Sequence, residues 1–406
     1  MIDFEPSEDQ RLMQDSVASF AKATLAPRTR EMERLRGVPE DVRKLAHEMG
    51  LGLLTLPESV GGSAQGLTTA VLLEEELGSA DAGAAFGLGG PGSFGAAVME
   101  LAPERAEELL ADFAGADGYA RFGAVAFSEA KANKERAGFS TVAVKDGEGY
   151  VITGKKSFVG NAGLADRFLV FAQVDADKGW GGLGAFVIRR DDAGVKVLGR
   201  HDTLGLDAAS FGEIALEGVK VEASARLMSA ASEADFTLAT LRFFAKQSLL
   251  VAARAVGLSR FAYEIAREYC ETRKAFGKPI GHFQAVAFAL SDRLMDVDAS
   301  RWLVWRAAHA WDAKLPEKAA IAATAQAAAF ALEAAMRTAD ECVGLHGGSG
   351  FIRDLIAEKL MRDAKQLALS CLTAEQLDQI AAAIDLGAPL DPALVLPTPE
   401  TQAIFT

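Results

Sequence analysis

Cysteine, positive charge and long apolar runs are what this chain has least of. Its three cysteines, Cys270, Cys342 and Cys371, are odd in number and far apart. They offer neither a disulfide framework nor the paired spacing of a metal site, so reduced thiols and no bound metal are expected. Lysine and arginine together number 42 against 56 aspartates and glutamates, a formal net charge of -14. That sign argues against nucleic acid or an anionic membrane surface as the main partner, and a polyanionic coenzyme would need a local basic patch working against the overall field. No apolar run reaches spanning length, and the opening MIDFEPSEDQ is too acidic and polar for a secretory leader. A cytoplasmic location is expected.

What is present is apolar mass. Half of the 406 residues are hydrophobic, enough for a large core divided over two or three domains. Up to about residue 120 the pattern is helical. Ser7-Glu8-Asp9-Gln10 has the form of a capped start, and Leu12, Val17, Phe20 and Ala21 follow at helical spacing. Pro39 opens a second helix that Gly50 stops, and a third is expected over 67–77, with Glu74, Glu75 and Glu76 read as a solvated face. The Gly- and Ala-rich stretch 82–95 has no clear period. From residue 121 the period changes to two. Residues 140–145 and 150–153 flank Asp146-Gly147-Glu148-Gly149, a hairpin signal, and short β runs follow at 168–174, 185–188, 195–198 and 212–216. A small β-barrel or sandwich is expected over 121–228. Long helices are expected at 233–270, 282–312, 317–344 and 354–370, a bundle closing near 386. The Pro-containing tail 387–406 reads as a draped segment. The expected class is mainly α with a central β domain, divided as 1–120, 121–228, 229–386 and 387–406.

Three stretches carry chemistry. TRKAFGKPIGHFQ, residues 272–284, places Pro279 and Gly277 where no helix can run, so a tight corner joins two helices. Such a corner brings Arg273, the Phe276 ring and helix-start NH groups to one spot, which suits a diphosphate. ECVGLHGGSGFIRDLIAEKLMRDAK, residues 341–365, contains Gly347, Gly348 and Gly350, which let backbone NH groups approach phosphate oxygens. GKKSFVGNAG, residues 154–163, lies between strands. Together with GLGLLTLPESVGGSAQGLTTAVLLEEELGSAD near the amino terminus, these stretches resemble the acyl-CoA dehydrogenase family over residues 1 to about 373.

The resemblance implies an amino-terminal helical domain, a small β-barrel and a carboxy-terminal four-helix bundle. It also implies FAD as cofactor and α,β-dehydrogenation of an acyl-CoA or acyl-carrier thioester. An electron-transfer flavoprotein or other redox acceptor, and a homodimer or homotetramer, follow from the same likeness. By the family pattern Arg273, Phe276, Gln284, Gly347 and Gly348 take the cofactor's diphosphate across a subunit boundary, and Thr373 is retained beside it. Phe158 takes the place of the ring packed on the isoalloxazine, unless it is plain barrel core. Gly160 stands where members usually carry a hydroxyl, and Gly344 where many carry a Gln. Phe127 and Ser128, with Glu129, fill the slot that meets the flavin's pyrimidine edge. Lys134 sits either in a solvated loop or on a basic lip for a pantetheine phosphate. His346 reads as packed rather than catalytic.

The family's catalytic base is a Glu at one of two places, and this sequence has it at neither. The usual position holds Cys371 within Ser370-Cys371-Leu372-Thr373, and the alternative on the earlier long helix holds Gln247, beside Ser248. A thiol with an ordinary pKa of about 8.5 is a poor substitute. Glu375, one helical turn on, is a possible relocated base. Two functions stay open: a dehydrogenase with an atypical or missing base, or a family flavoprotein with other chemistry, which includes an inactive subunit of a hetero-oligomer.

Overall fold

The computed structural model describes residues 5–130 and 138–388. Six helices lead, namely α1 (Glu8–Phe20), α2 (Thr29–Leu35), α3 (Glu40–Glu48), α4 (Leu67–Gly87), α5 (Gly92–Leu101) and α6 (Ala106–Leu110). The start of α1 is the capping box legible in the sequence: Ser7 Oγ accepts from the Gln10 amide, and the Gln10 side chain accepts from the Ser7 amide. Helix α4 runs beyond the span read from the sequence because Asp81 restarts it. The backbone leaves helical geometry there (φ -161°, ψ 105°), and Asp81 Oδ1 accepts from the Ala84 amide at 2.9 Å as a cap would. The Gly- and Ala-rich stretch becomes the end of α4 and the whole of α5.

The β domain is one eight-stranded sheet among the described residues. Its strands are β1 (Gly123–Ala126), β2 (Val142–Asp146), β3 (Gly149–Val159), β4 (Arg167–Gln173), β5 (Leu183–Arg189), β6 (Val195–Arg200), β7 (Gly212–Val221) and β8 (Arg226–Leu227). They run in the order β6-β7-β3-β2-β4-β5-β8, with β1 added in parallel to β4. The hairpin read from Asp146-Gly147-Glu148-Gly149 is present, Asp146 pairing with Gly149 and Gly147 at φ +59°. Strand β4 is apolar throughout because both faces are covered. Phe168, Val170 and Ala172 point into the sheet's own core, whereas Leu169 and Phe171 join the core shared with the helices.

The remainder is α7 (Glu233–Thr272), the two-residue strands β9 (Lys274–Ala275) and β10 (Lys278–Pro279), then α8 (Gln284–Asp312), α9 (Glu317–Leu345), α10 (Ala357–Leu367) and α11 (Ala374–Asp385). The corner between α7 and α8 is thus a miniature hairpin, with Phe276 (φ +51°) and Gly277 (φ +83°) at its tip. By length and composition α9 could cross a membrane, contrary to the reading that no apolar run reaches that length. Two-thirds of its most apolar window (67%) is buried inside the protein, as befits an alanine-rich core helix.

Helices α4 and α7 cross at glycine. A Cβ on Gly257 would overlap the Glu75 carbonyl oxygen, and one on Gly78 would overlap the Arg254 carbonyl oxygen. This close approach overturns the reading of Glu74–Glu76 as a solvated face. Glu75 is 2% exposed and accepts from Arg260 Nη1 at 3.0 Å and from Arg301 Nη2 at 2.7 Å. Glu76 accepts from Arg260 Nη2 at 2.7 Å and from Gln14 at 2.8 Å. Two of the run are buried and the third, Glu74, is half-buried, each matched to an arginine on α7 or α8. A second buried cluster ties α10 to α4, where Lys359 Nζ lies between Asp363 and Asp81.

Candidate active site

A cavity of about 820 Å³ lies where the three regions meet. One wall is a single face of α7: Phe243, Phe244, Gln247, Leu250, Val251 and Arg254 recur at helical spacing. Leu73, Glu74 and Leu77 of the adjoining α4, Val125 of β1 and Phe158 of β3 also line the cavity. The segment 369–372, with Gln376, closes the end.

Residues 123 positions apart meet behind that wall. Ser248 Oγ donates to Cys371 Sγ at 3.3 Å, and Gln247 is its chain neighbour. The two positions at which the sequence lacks a Glu, Cys371 and Gln247, both line this cavity. The thiol in turn points to the Phe244 carbonyl at 3.9 Å. Burial pushes the Cys371 thiol up, and the Ser248 hydrogen bond offsets only part of that.

Among the described residues two carboxylates line the cavity, and both are committed elsewhere. Glu74 is held bidentately by Arg254 at 2.6 and 2.8 Å. Glu129 accepts from the Ser140 and Thr141 amides at 2.7 and 2.9 Å and from Lys156 Nζ at 3.0 Å. Burial would raise the Glu129 carboxyl, but Lys156 and the two amides hold it below the usual range. Lys156 is fully buried, 3.4 Å from the centroid of the Phe139 ring and 2.8 Å from the Phe127 carbonyl. Burial lowers its pKa to about 8. Glu375, by contrast, is exposed in the first turn of α11 and does not line the cavity.

The other residues singled out in the sequence fall into two groups. Phe127, Ser128, Phe158 and Gly160 line the cavity. Phe158 is not barrel core. It is 58% exposed at φ +58°, a conformation that costs a bulky residue energy, and it stacks on His201 at 4.9 Å. Arg273, Phe276, Gln284, Gly347 and Gly348 lie outside the cavity, exposed on the helical region. Phe276 is 97% exposed. Thr373 also lies outside the lining, its hydroxyl spent in the capping box of α11 with Gln376. His346 is buried, its Nδ1 2.7 Å from the Cys342 carbonyl and its ring on Tyr269. Lys134 lies outside the described residues.

Several side chains of the site were not singled out in the sequence. Asn161 and Thr203 line the cavity, and each has a buried oxygen with no hydrogen-bond partner among the described residues. Arg254 carried a legible signal, a lone arginine inside the apolar run LLVAARAVGL.

Comparison with known proteins agrees with this geometry. The N-terminal, middle and C-terminal acyl-CoA dehydrogenase domain families match residues 7–114, 124–219 and 236–381. A cyclohex-1-ene-1-carbonyl-CoA dehydrogenase of Geobacter metallireducens is 34% identical over 88% of this chain and 93% of its own length. The chain belongs to the acyl-CoA dehydrogenase family. A probable acyl-CoA dehydrogenase of Bacillus subtilis is 30% identical over 92% of this chain and 97% of its own length. The solved butyryl-CoA dehydrogenase of Megasphaera elsdenii, 27% identical, superposes with a TM-score of 0.86 over 95% of this chain and all of its own.

This acyl-CoA dehydrogenase is accordingly an FAD-dependent oxidoreductase. Its cavity fits a flavin. The orphaned Asn161 and Thr203 oxygens offer polar partners to a ligand edge, and Phe158 offers an exposed ring. A Cβ at Gly160 would meet nothing nearer than Phe211 at 3.8 Å, so the space there is open.

Proposed function

We propose that the chain binds an acyl-CoA or acyl-carrier thioester beside FAD and that Cys371, as thiolate, is its α-proton acceptor. α,β-Dehydrogenation is then very slow at neutral pH and quickens as pH rises. The observation that carries this reading is that Cys371 and Gln247 both line the cavity, Cys371 accepting a hydrogen bond from the buried Ser248, while among the described residues both cavity carboxylates are engaged elsewhere. Desaturation breaks the α C–H bond, whose proton passes to the Cys371 sulfur, and the β C–H bond, whose hydrogen leaves with its electron pair. When bound, FAD supplies the acceptor for that hydride. The Gln247 amide orients polar substrate atoms but takes no proton.

In this reading Ser128, Phe158 and Gly160 hold the flavin, and Phe127 supports them through edge contacts with Phe139, Phe171 and Phe244 at 4.7–5.2 Å. Arg273, Phe276, Gln284, Gly347 and Gly348 receive the diphosphate from a second copy. Their exposure, with that of Phe288, Met295 and Trp302 on α8, supports a homodimer or homotetramer. An electron-transfer flavoprotein or another redox acceptor closes the cycle.

The test is anaerobic addition of acyl-CoAs to the FAD-loaded protein across pH. Slow bleaching at pH 7 that accelerates with pH and vanishes in Cys371→Ala is expected. Fast bleaching at pH 7 that survives Cys371→Ala would refute the assignment. Light scattering of the same preparation tests assembly, and a monomer retaining one FAD per chain would exclude the shared cofactor site.

A further inference from the structure

The face of α7 that carries Gln247 also carries Arg254, about 10 Å farther along the axis at 1.5 Å per residue. Arg254 and Glu74 are 11% and 18% exposed, and both line the cavity. Glu74 accepts from Arg254 Nε and Nη2, which occupies one edge of the guanidinium. The guanidinium carbon lies 4.2 Å from the centroid of Phe86, which fixes the plane of the group. No hydrogen-bond partner for Nη1 is found among the described residues. An ion pair in the wall of a largely apolar cavity is no gain in stability over two apolar side chains. A ligand that uses its open edge accounts for it.

Resting on the thioester-binding reading above, we infer that the Glu74–Arg254 pair sets specificity for the far end of the acyl group, selecting a tail that ends in a neutral hydrogen-bond-accepting oxygen, a hydroxyl or carbonyl. Three properties of the pair lead there. A guanidinium has donors only, so its free edge needs an acceptor. Glu74 already neutralises Arg254, so a second carboxylate would bring an uncompensated charge into the cavity. A methyl end would strip water from Nη1 and return no hydrogen bond. A donor site of this kind discriminates well, because the wrong ligand leaves the protein's own polar group unpaired.

The test is isothermal titration of the FAD-loaded protein with straight-chain acyl-CoAs of graded length and with their ω-hydroxy, ω-oxo and ω-carboxy counterparts. At the length that reaches Arg254, the hydroxy or oxo ligand is expected to bind roughly 10- to 100-fold tighter than its alkyl counterpart. In Arg254→Met/Glu74→Met the preference should reverse. Equal affinity of alkyl and oxygenated ligands at every length overturns the inference, as does a preference that survives in the double variant. Tightest binding of the ω-carboxy series overturns the neutral-oxygen assignment. Failure of every acyl-CoA, and of the same acyl groups on a carrier protein, to bind would sink the thioester reading itself, which separates the two claims. Should the double variant not fold, the wild-type series alone decides.

Discussion

Ser248 Oγ donates its hydrogen bond to Cys371 Sγ across 3.3 Å, from the middle of α7 to the turn before α11. The bond favours the thiolate, but burial raises the thiol further than Ser248 lowers it. Because the pKa lies above the ordinary thiol value, the ionised fraction is small at neutral pH and grows tenfold per unit on approach to the pKa. The first-order rate of flavin reduction by a bound acyl-CoA should therefore climb with a slope near one through the mildly alkaline range. Ser248→Ala should move that limb to higher pH. A flat profile in anaerobic stopped-flow would rule the thiolate out.

Cys371→Glu places a carboxylate where, among the described residues, the cavity has none free. Its flavin reduction at pH 7 should exceed wild type by about 100- to 10,000-fold, the usual range for a positioned general base. An unchanged rate would mean that some other step or group limits the wild type.

Glu375→Gln should leave flavin reduction as it is. The side chain is exposed in the first turn of α11 and outside the cavity lining. Loss of bleaching in this variant would reinstate it as a relocated base.

Lys156 and Glu129 form a buried pair at the cavity's edge, 0% and 7% exposed. Lys156→Met strands the carboxylate and should cost about 3–5 kcal/mol in urea unfolding, whereas Lys156→Met/Glu129→Gln should cost less. The pair also gives a pH signature. The Lys156 pKa falls from 10.5 to about 8 on folding, through burial. Between those values the unfolded chain holds the proton more tightly, so this group's contribution to stability rises with pH there and is lost as pH falls through about 8. The wild-type minus Lys156→Met difference should follow that curve; a difference independent of pH would contradict it.

Gly257→Ala and Gly78→Ala each put a Cβ against backbone of the facing helix. Overpacking of this kind costs about 1–3 kcal/mol or more, since only separation of α4 and α7 relieves it. Thermal unfolding measures this, and a neutral Gly257→Ala would mean that the crossing is looser than the structure has it.

The sequence by itself determined the elements and their order. Apolar spacing of 3.6 and then 2 marks helices, strands and helices again, because each element buries a face whose period its own geometry sets. Gly147 and Gly277 marked their turns because a positive φ is costly for most other residues. The resemblance of the glycine turn and the Arg273 corner carried the family and the cofactor. What the sequence could not decide is which distant residues share a wall. Glu74–Glu76 are three charges in a row, and nothing local says that α7 crosses close enough at Gly257 to bury two of them and pair the third with Arg254. Cys371 lies one helical turn from an exposed glutamate, yet its partner is Ser248 on another helix. Hydrogen bonds and ion pairs act over a few ångströms, and only the packing of the helices brings residues more than a hundred positions apart within that reach.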